Sequence, residues 1–258
     1  MKKTICFLSI VALLAGCASF QQKRALSKPM VSLAMSKIQE NNVQGALVEL
    51  RKAKDANPGD PEVYMGYAQV YRQTGDYDKA LENADLAIAY ADNVGLDHPG
   101  MKSDARFMKG TILMLRGGKE EEAVKTFRAA ADDELYSHPE MAYSNISAIY
   151  YGLKRYPEAI QAAQQALNKD SQYAPAWRNL ALAYQQEGNE DEAIKALDNA
   201  ITHYNGYTEA HWDLAQILVR RGQTAEAVSH LNEVVRLDGN GPFGLKAQER
   251  LEDLGASH

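Results

Sequence analysis

Cysteine is nearly absent from this 258-residue chain: there are two, Cys6 and Cys17, both close to its start. The remainder therefore has no thiol for a disulfide framework, a thiolate metal site or a cysteine nucleophile. Apart from Ile5 to Leu14 there is no long apolar run, and nothing later approaches the roughly 20 residues that a membrane-spanning helix needs. Tracts of lysine and arginine are also missing. With 28 basic and 34 acidic residues the formal charge is −6, which gives no electrostatic footprint for nucleic acid or for wide contact with anionic lipid. There is no glycine-rich phosphate loop and no G-x-S-x-G turn. The six histidines, His98, His138, His203, His211, His230 and His258, form neither an H-E-x-x-H motif nor any i,i+4 pair, so each reads as a surface or turn residue. The expectation is a chain without catalytic residues, metal or cofactor.

The chain does have a distinctive beginning. Lys2 and Lys3 form a short positive region ahead of the apolar run Ile5 to Leu14, the layout of a secretory signal. Leu14-Ala15-Gly16-Cys17 resembles a lipobox, which implies cleavage after residue 16 and a diacylglycerol on Cys17. A lipoprotein of that class carries three acyl chains, and at about 0.8 kcal/mol for each buried methylene its membrane residence is permanent. Removal of Lys2 and Lys3 takes the formal charge from −6 to −8. Ala18 follows the anchor, and the enteric sorting rule then implies the outer membrane, facing the periplasm. Residues 17–26 read as a tether, which fully extended reaches about 35 Å.

Beyond the tether the sequence repeats itself with a unit of about 34 residues. Each unit carries an Ala followed four and seven residues later by apolar or small residues, a spacing that places all three on one helical face. The sets are Ala46, Leu50, Ala53; Ala80, Ala84, Ala87; Ala123, Phe127, Ala130; Ala159, Ala163, Ala166; Ala193, Leu197, Ala200; and Ala227, Leu231, Val234. Upstream of each set lies a second helical pattern, clearest in Trp177, Leu180, Ala181 and Tyr184 before Gly188. Glycine there takes a turn conformation that other residues avoid. Acidic runs such as Glu120-Glu121-Glu122 and Glu190-Asp191-Glu192 suit the first turn of a helix, and Pro157 suits the same place in its own helix. These runs read as caps and solvated faces.

Such units resemble tetratricopeptide repeats. The resemblance covers residues 27 to 240 and implies an all-α, right-handed superhelical solenoid of six repeats: 27–60, 61–94, 103–136, 140–173, 174–207 and 208–240. Residues 241–258 hold an amphipathic segment, PFGLKAQERLEDL, that reads as the capping helix a solenoid needs. Two joins break the register. The step from Ala80 to Ala123 is 43 residues, with NVGLDHPG at 93–100 supplying turn residues, and the step from Ala123 to Ala159 is 36. The 93–100 insertion reads either as a connecting loop with no role of its own or as a contact point, and the first is the expectation.

In stacked helix pairs of this kind the first helix lines a concave groove. Its expected protein-binding residues are Met65, Gln69, Arg72, Phe107, Met108, Met114, Asn145, Tyr151, Arg178, Asn179, Leu182, Trp212 and Gln216. Methionine and aromatic side chains in such a groove suit an adaptable apolar contact with a peptide. A second reading stands beside it: Phe107, Met108 and Met114 plug the join next to the insertion. Asn145, Arg178 and Asn179 echo carboxylate-clamp positions of some tetratricopeptide domains, but the lysines that complete such a clamp are missing. Asparagine at that place also serves as an inter-repeat hydrogen-bonding residue.

Lipobox, short tether and six repeats together resemble the PilF/PilW–Tgl group of type IV pilus lipoproteins, which are pilotins. That resemblance implies an outer-membrane, periplasm-facing scaffold that assists a secretin to localise and multimerise, with no enzyme activity. The chain departs from the group at DARFMKGTILMLRGG and at the 93–100 insertion. Alternatives of the same architecture are an adaptor resembling NlpI that recruits peptidoglycan enzymes or a protease, or a subunit of an envelope assembly machine resembling BamD or of an exopolysaccharide export machine.

Overall fold

The computed structural model describes residues 2–256, with side chains from residue 20 onward except that of Leu96. The Cys17 side chain and His258 lie outside the described set. Among the described residues there are thirteen α-helices, one 3-10 helix and no strand. The helices fall into consecutive antiparallel pairs, as the repeat pattern predicts. They are α1 Lys2–Gln39 with α2 Val43–Ala56, α3 Pro61–Gln73 with α4 Tyr77–Tyr90, and α5 Met101–Arg116 with α6 Glu120–Ala131. Then come α7 Pro139–Gly152 with α8 Tyr156–Lys169, α9 Ala174–Gln186 with α10 Glu190–His203, and α11 Thr208–Arg220 with α12 Thr224–Asp238; α13 is Pro242–Asp253. The chain forms two compact units, Met1–Ser137 and His138–His258. The first therefore contains three helix pairs, and the second three pairs and the final helix.

The alanine sets explain the pairing. Ala46, Leu50 and Ala53 are fully buried in α2, and so are the corresponding residues of each later second helix. Small side chains at these sites let two helix axes approach closely; in four of the six sets a Leu or Phe at the middle position fills the space that remains, and in the other two all three residues are alanine. Gly110 shows how tight the fit is: a Cβ there would sit 2.8 Å from the Phe127 ring. In the second unit, Asp238 accepts hydrogen bonds from the backbone amides of Phe243 and Gly244 at 2.8 and 2.9 Å, which fixes the start of α13 over Leu231 and Val234.

The turn inside each pair uses a left-handed residue. Glycine fills it at Gly75, Gly118, Gly188 and Gly222, while Asn41 and Lys154 fill it in the first and fourth pairs with φ of 58° and 60°. Asparagine tolerates that region; lysine pays a steric cost for its Cβ.

The N-terminal end departs from the sequence reading in two respects. Residues 17–26 are not an extended tether but part of α1, which runs through Pro29 without ending. The 93–100 segment is not a loop without contacts. Its first part belongs to the 3-10 helix Ala91–Asp97, and Ala91, Val94 and Met101 pack with Phe20 and Met65. Arg24, only 5% exposed, bonds Glu62 at 2.5 Å and Asp97 at 2.9 Å. Ser27 donates to Asp60 at 2.6 Å, and Asn93 donates to the Gly59 carbonyl at 2.8 Å. The insertion, with Asp60 and Glu62, thus forms a clasp around residues 20–27 of α1. It keeps these turns helical although Pro29 removes a backbone donor from the helix interior.

Two mutations test the turn account. Replacing Lys154 with Gly should raise stability by about 0.5 kcal/mol, because relief of left-handed strain exceeds the added unfolded-state freedom. Gly188→Ala should lower it by about 1 kcal/mol. Chemical denaturation of both variants measures this, and a destabilised Lys154→Gly protein would contradict it. Arg24→Ala should leave Glu62 and Asp97 without their cation and speed hydrogen exchange of residues 20–27 by an opening free energy of about 2–3 kcal/mol. Unchanged exchange would mean the clasp carries no weight.

Candidate protein-binding surfaces

The expected groove residues of the first unit are largely engaged in packing. Met65 lies half-buried against Tyr64, Ala87 and Ala105, and also against the Phe20 and Val94 cluster. Phe107 meets Phe127 edge to face at 5.4 Å between ring centroids and Tyr136 at 6.1 Å. Met108 packs on Ala68, Ala80, Ala84 and Ile112. Phe107 and Met108 are thus engaged in internal packing, on residues outside the 93–100 insertion. Met114 is half-buried. Gln69 accepts from Arg72 Nε and Nη2 at 3.2 and 3.0 Å, so each holds the other along α3.

In the second unit, polar contacts join successive first helices. Asn179 on α9 donates to the Ser144 carbonyl and hydroxyl on α7, both at 3.0 Å. It is an inter-repeat clasp and not a free clamp residue. Arg178 Nε donates to Asp213 at 2.6 Å, and its guanidinium lies 6.0 Å from the Tyr207 ring centroid. Burial pushes the Asp213 carboxyl above its ordinary range while Arg178 pulls it back. Burial likewise raises the Tyr207 hydroxyl. The sequence reading missed Asp213. The available signal was its spacing from Arg178, 35 residues, one repeat plus one position.

The remaining residues of this face divide the same way. Trp212 is committed to the final helix, edge to face with Phe243 at 6.2 Å. Tyr151 leans on Tyr156 at 5.8 Å. Asn145 and Leu182 are half-buried. Gln216 places its Nε2 in a buried position where no acceptor among the described residues reaches it. Tyr151, like Leu182, keeps part of its side chain exposed.

The histidines are less scattered in space than in sequence. His211 is buried, contrary to its reading as a surface residue, and its Nδ1 lies 2.9 Å from Nδ1 of His230. His211 Nε2 donates to the Asn205 carbonyl at 3.0 Å, since a carbonyl only accepts; its Nδ1 then accepts from His230. Burial, with the neighbouring His211, lowers the His230 pKa below 6.5, while Glu226 and Glu233 oppose it. Among the described residues no group of three or more His, Cys, Asp or Glu could hold a metal ion. No described helix is long and apolar enough to cross a membrane.

A groove also opens between neighbouring second helices. In the second unit it lies between α8 and α10, encloses about 440 Å³, and is floored by Trp177, Leu180 and Tyr184. In the first unit its counterpart lies between α2 and α4, encloses about 340 Å³, and is floored by Tyr67 and Tyr71.

A family model described as "Tetratricopeptide repeat" matches residues 37–93, 150–200 and 184–251, more than half of the chain. The chain belongs to the tetratricopeptide repeat family. Solved tetratricopeptide structures resemble it over nearly its whole length. PilF of Pseudomonas aeruginosa superposes with a TM-score of 0.71 at 16% identity, covering 89% of this chain and 99% of that one. PilW, described as a widely conserved type IV pilus biogenesis factor, gives 0.70 at 17% identity, covering 86% and 97%. An uncharacterized protein of Haemophilus influenzae is 28% identical over 152 residues, 59% of this chain and 78% of that protein. At these identities the structural likeness establishes the tetratricopeptide fold. The chain is thus a protein-interaction scaffold that resembles type IV pilus biogenesis factors.

The His211–His230 pair predicts a pH dependence. His230 has a folded pKa below its unfolded one, so the unfolded chain binds more protons as pH falls through about 6.5. The stability it contributes is present above that pH and is lost below it, down to the folded pKa. Thermal melts from about pH 7 to pH 5 should therefore drop more steeply for the natural protein than for His230→Phe. Parallel slopes would rule the pair out as the source.

Proposed function

We propose that this chain is an outer-membrane lipoprotein of the pilotin type, a non-enzymatic scaffold that helps a secretin subunit reach the outer membrane and multimerise there. The observation that carries the reading is a coincidence of two independent features. One is the lipobox-like Leu14-Ala15-Gly16-Cys17 at the start. The other is a fold that matches PilF and PilW from end to end, with 99% and 97% of those chains covered.

The physics of the role follows from the parts. A secretin subunit before assembly is strand-rich, with open edges that pair indiscriminately. A scaffold with polypeptide-binding faces shields one segment, and lipid on Cys17 concentrates that scaffold at the membrane. The reach is short. Phe20 is packed into the body only three residues after Cys17, so about 5 Å of helix, and at most about 10 Å were it to unwind, separates lipid from folded protein. This replaces the longer reach of a ten-residue tether and holds the bound segment close to the periplasmic leaflet. The Tyr151, Leu182 and Gln216 face of the second unit is the contact this reading assigns to the segment.

Deletion of the gene tests the proposal. Heat-resistant secretin multimers, followed by immunoblot of fractionated envelopes, should disappear while monomer persists. The natural gene should restore them and Cys17→Ala should not. Multimers that survive deletion would refute the pilotin role. Restoration by Cys17→Ala would refute the anchor.

A further inference from the structure

The groove between α2 and α4 differs from its counterpart in one respect that the fold does not require. Both grooves occupy equivalent positions of the repeat, at a constant offset of 113 residues that carries Ala80 onto Ala193. The same offset carries Arg51 onto Gln164, Lys54 onto Leu167, Lys79 onto Glu192 and Glu82 onto Lys195. The four charged wall positions thus sum to +2 in the first unit and to zero in the second, in a chain whose formal charge is −6. The groove is a property of the repeat. Its positive charge is a property of this site.

Two of the three cations are also available. Lys79 is held by Asp76 at 2.6 Å and lies over the Tyr71 ring. Arg51 and Lys54 are exposed, and among the described residues neither forms an ion pair; Lys54 rests only on the Tyr64 ring, 5.7 Å from its centroid. Below them Tyr67 and Tyr71 stack with 6.2 Å between centroids and 15° between planes. Burial keeps the Tyr67 hydroxyl protonated, with Asp55 and Arg51 acting on it in opposite directions, so it remains a donor. Leu47 and Leu86 supply apolar surface on the two walls.

We propose that this groove is a second docking site, which takes an acidic segment of a partner protein in which carboxylates alternate with leucine or aromatic side chains. Carboxylates would meet Arg51, Lys54 and the Tyr67 hydroxyl, and apolar side chains would cover Leu47, Leu86 and the tyrosine floor. The apolar walls favour a polypeptide over an anionic polysaccharide, which has no side chains to fill them. Two unpaired cations are also few for a polyanion bound through charge alone. The inference stands apart from the pilotin reading and does not depend on it.

Fluorescence anisotropy with the full-length protein in detergent tests it, using a fluorescein-labelled peptide in which glutamate alternates with leucine and phenylalanine. Binding should weaken by about tenfold in the double variant Arg51→Glu, Lys54→Glu, and by a similar factor when the glutamates become glutamines. Lys195→Glu, at the matching groove of the other unit, should leave it unchanged. Both wild-type residues are exposed, so the double variant should melt at the natural temperature. Absence of binding, equal binding by the double variant, or an equal loss with Lys195→Glu would overturn the proposal. Competition by alginate as effective as competition by unlabelled peptide would also overturn it, in favour of a polysaccharide site.

Discussion

Everything in this molecule depends on how closely two helices can lie side by side. The buried alanines at Ala46, Ala80, Ala123, Ala159, Ala193 and Ala227 each have no exposed surface. They set the distance within a pair. That distance determines which side chains fill the seam, which turn closes the pair, and where the next pair rests. Enlarging one of these residues forces backbone shifts and costs about 1–3 kcal/mol, more where Gly110 meets Phe127. Positions that satisfy this constraint are not free to recognise anything. What is left over is the outward positions of the first helices and the walls of the grooves between second helices.

The repeating part of the fold was legible because it is written in periodic small residues and glycines. Ala-x-x-x-Leu-x-x-Ala spacing identifies a helical face without knowledge of what packs on it. The turns at Asn41 and Lys154 were less legible, since neither residue is glycine; only their 34-residue offsets from Gly75 and Gly188 mark them as the same turn. The candidate face was legible in outline, by counting along each first helix. What each side chain there does was not, because Phe107, Asn179 and Trp212 are claimed by neighbours one element or one repeat away. The clasp at the N-terminal end was misread for the same reason. Arg24 and Asp97 lie 73 residues apart and belong to no repeating pattern. A buried arginine in an apparent tether is a tertiary fact. So is the His211–His230 contact, whose partners sit on different helices of one pair.

The two kinds of surface also differ in how they can change. Inter-repeat contacts such as Arg178 with Asp213, or Asp191 with Arg221, are ionic and lie at the edges of seams already fixed by apolar packing. Exchange of such pairs alters the polarity of a face while the alanine seams stay intact. The groove walls of the two units illustrate the result: the same floor position holds tyrosine or leucine, and the walls above carry different charges. A scaffold built this way acquires new partners by exchanging side chains that its stability does not require.

The clasp has a kinetic side. Most contacts in the molecule join neighbouring helices, which favours rapid local closure as the chain emerges. The middle turns of α1, at Phe20 and Arg24, are an exception, because their partners Glu62, Val94 and Asp97 come much later in the sequence. This early-made segment therefore settles later than the helices that immediately follow it, waiting until the third repeat's first helix begins. Under the proposed export of this chain, that delay would keep the segment unpaired while about 70 further residues are made.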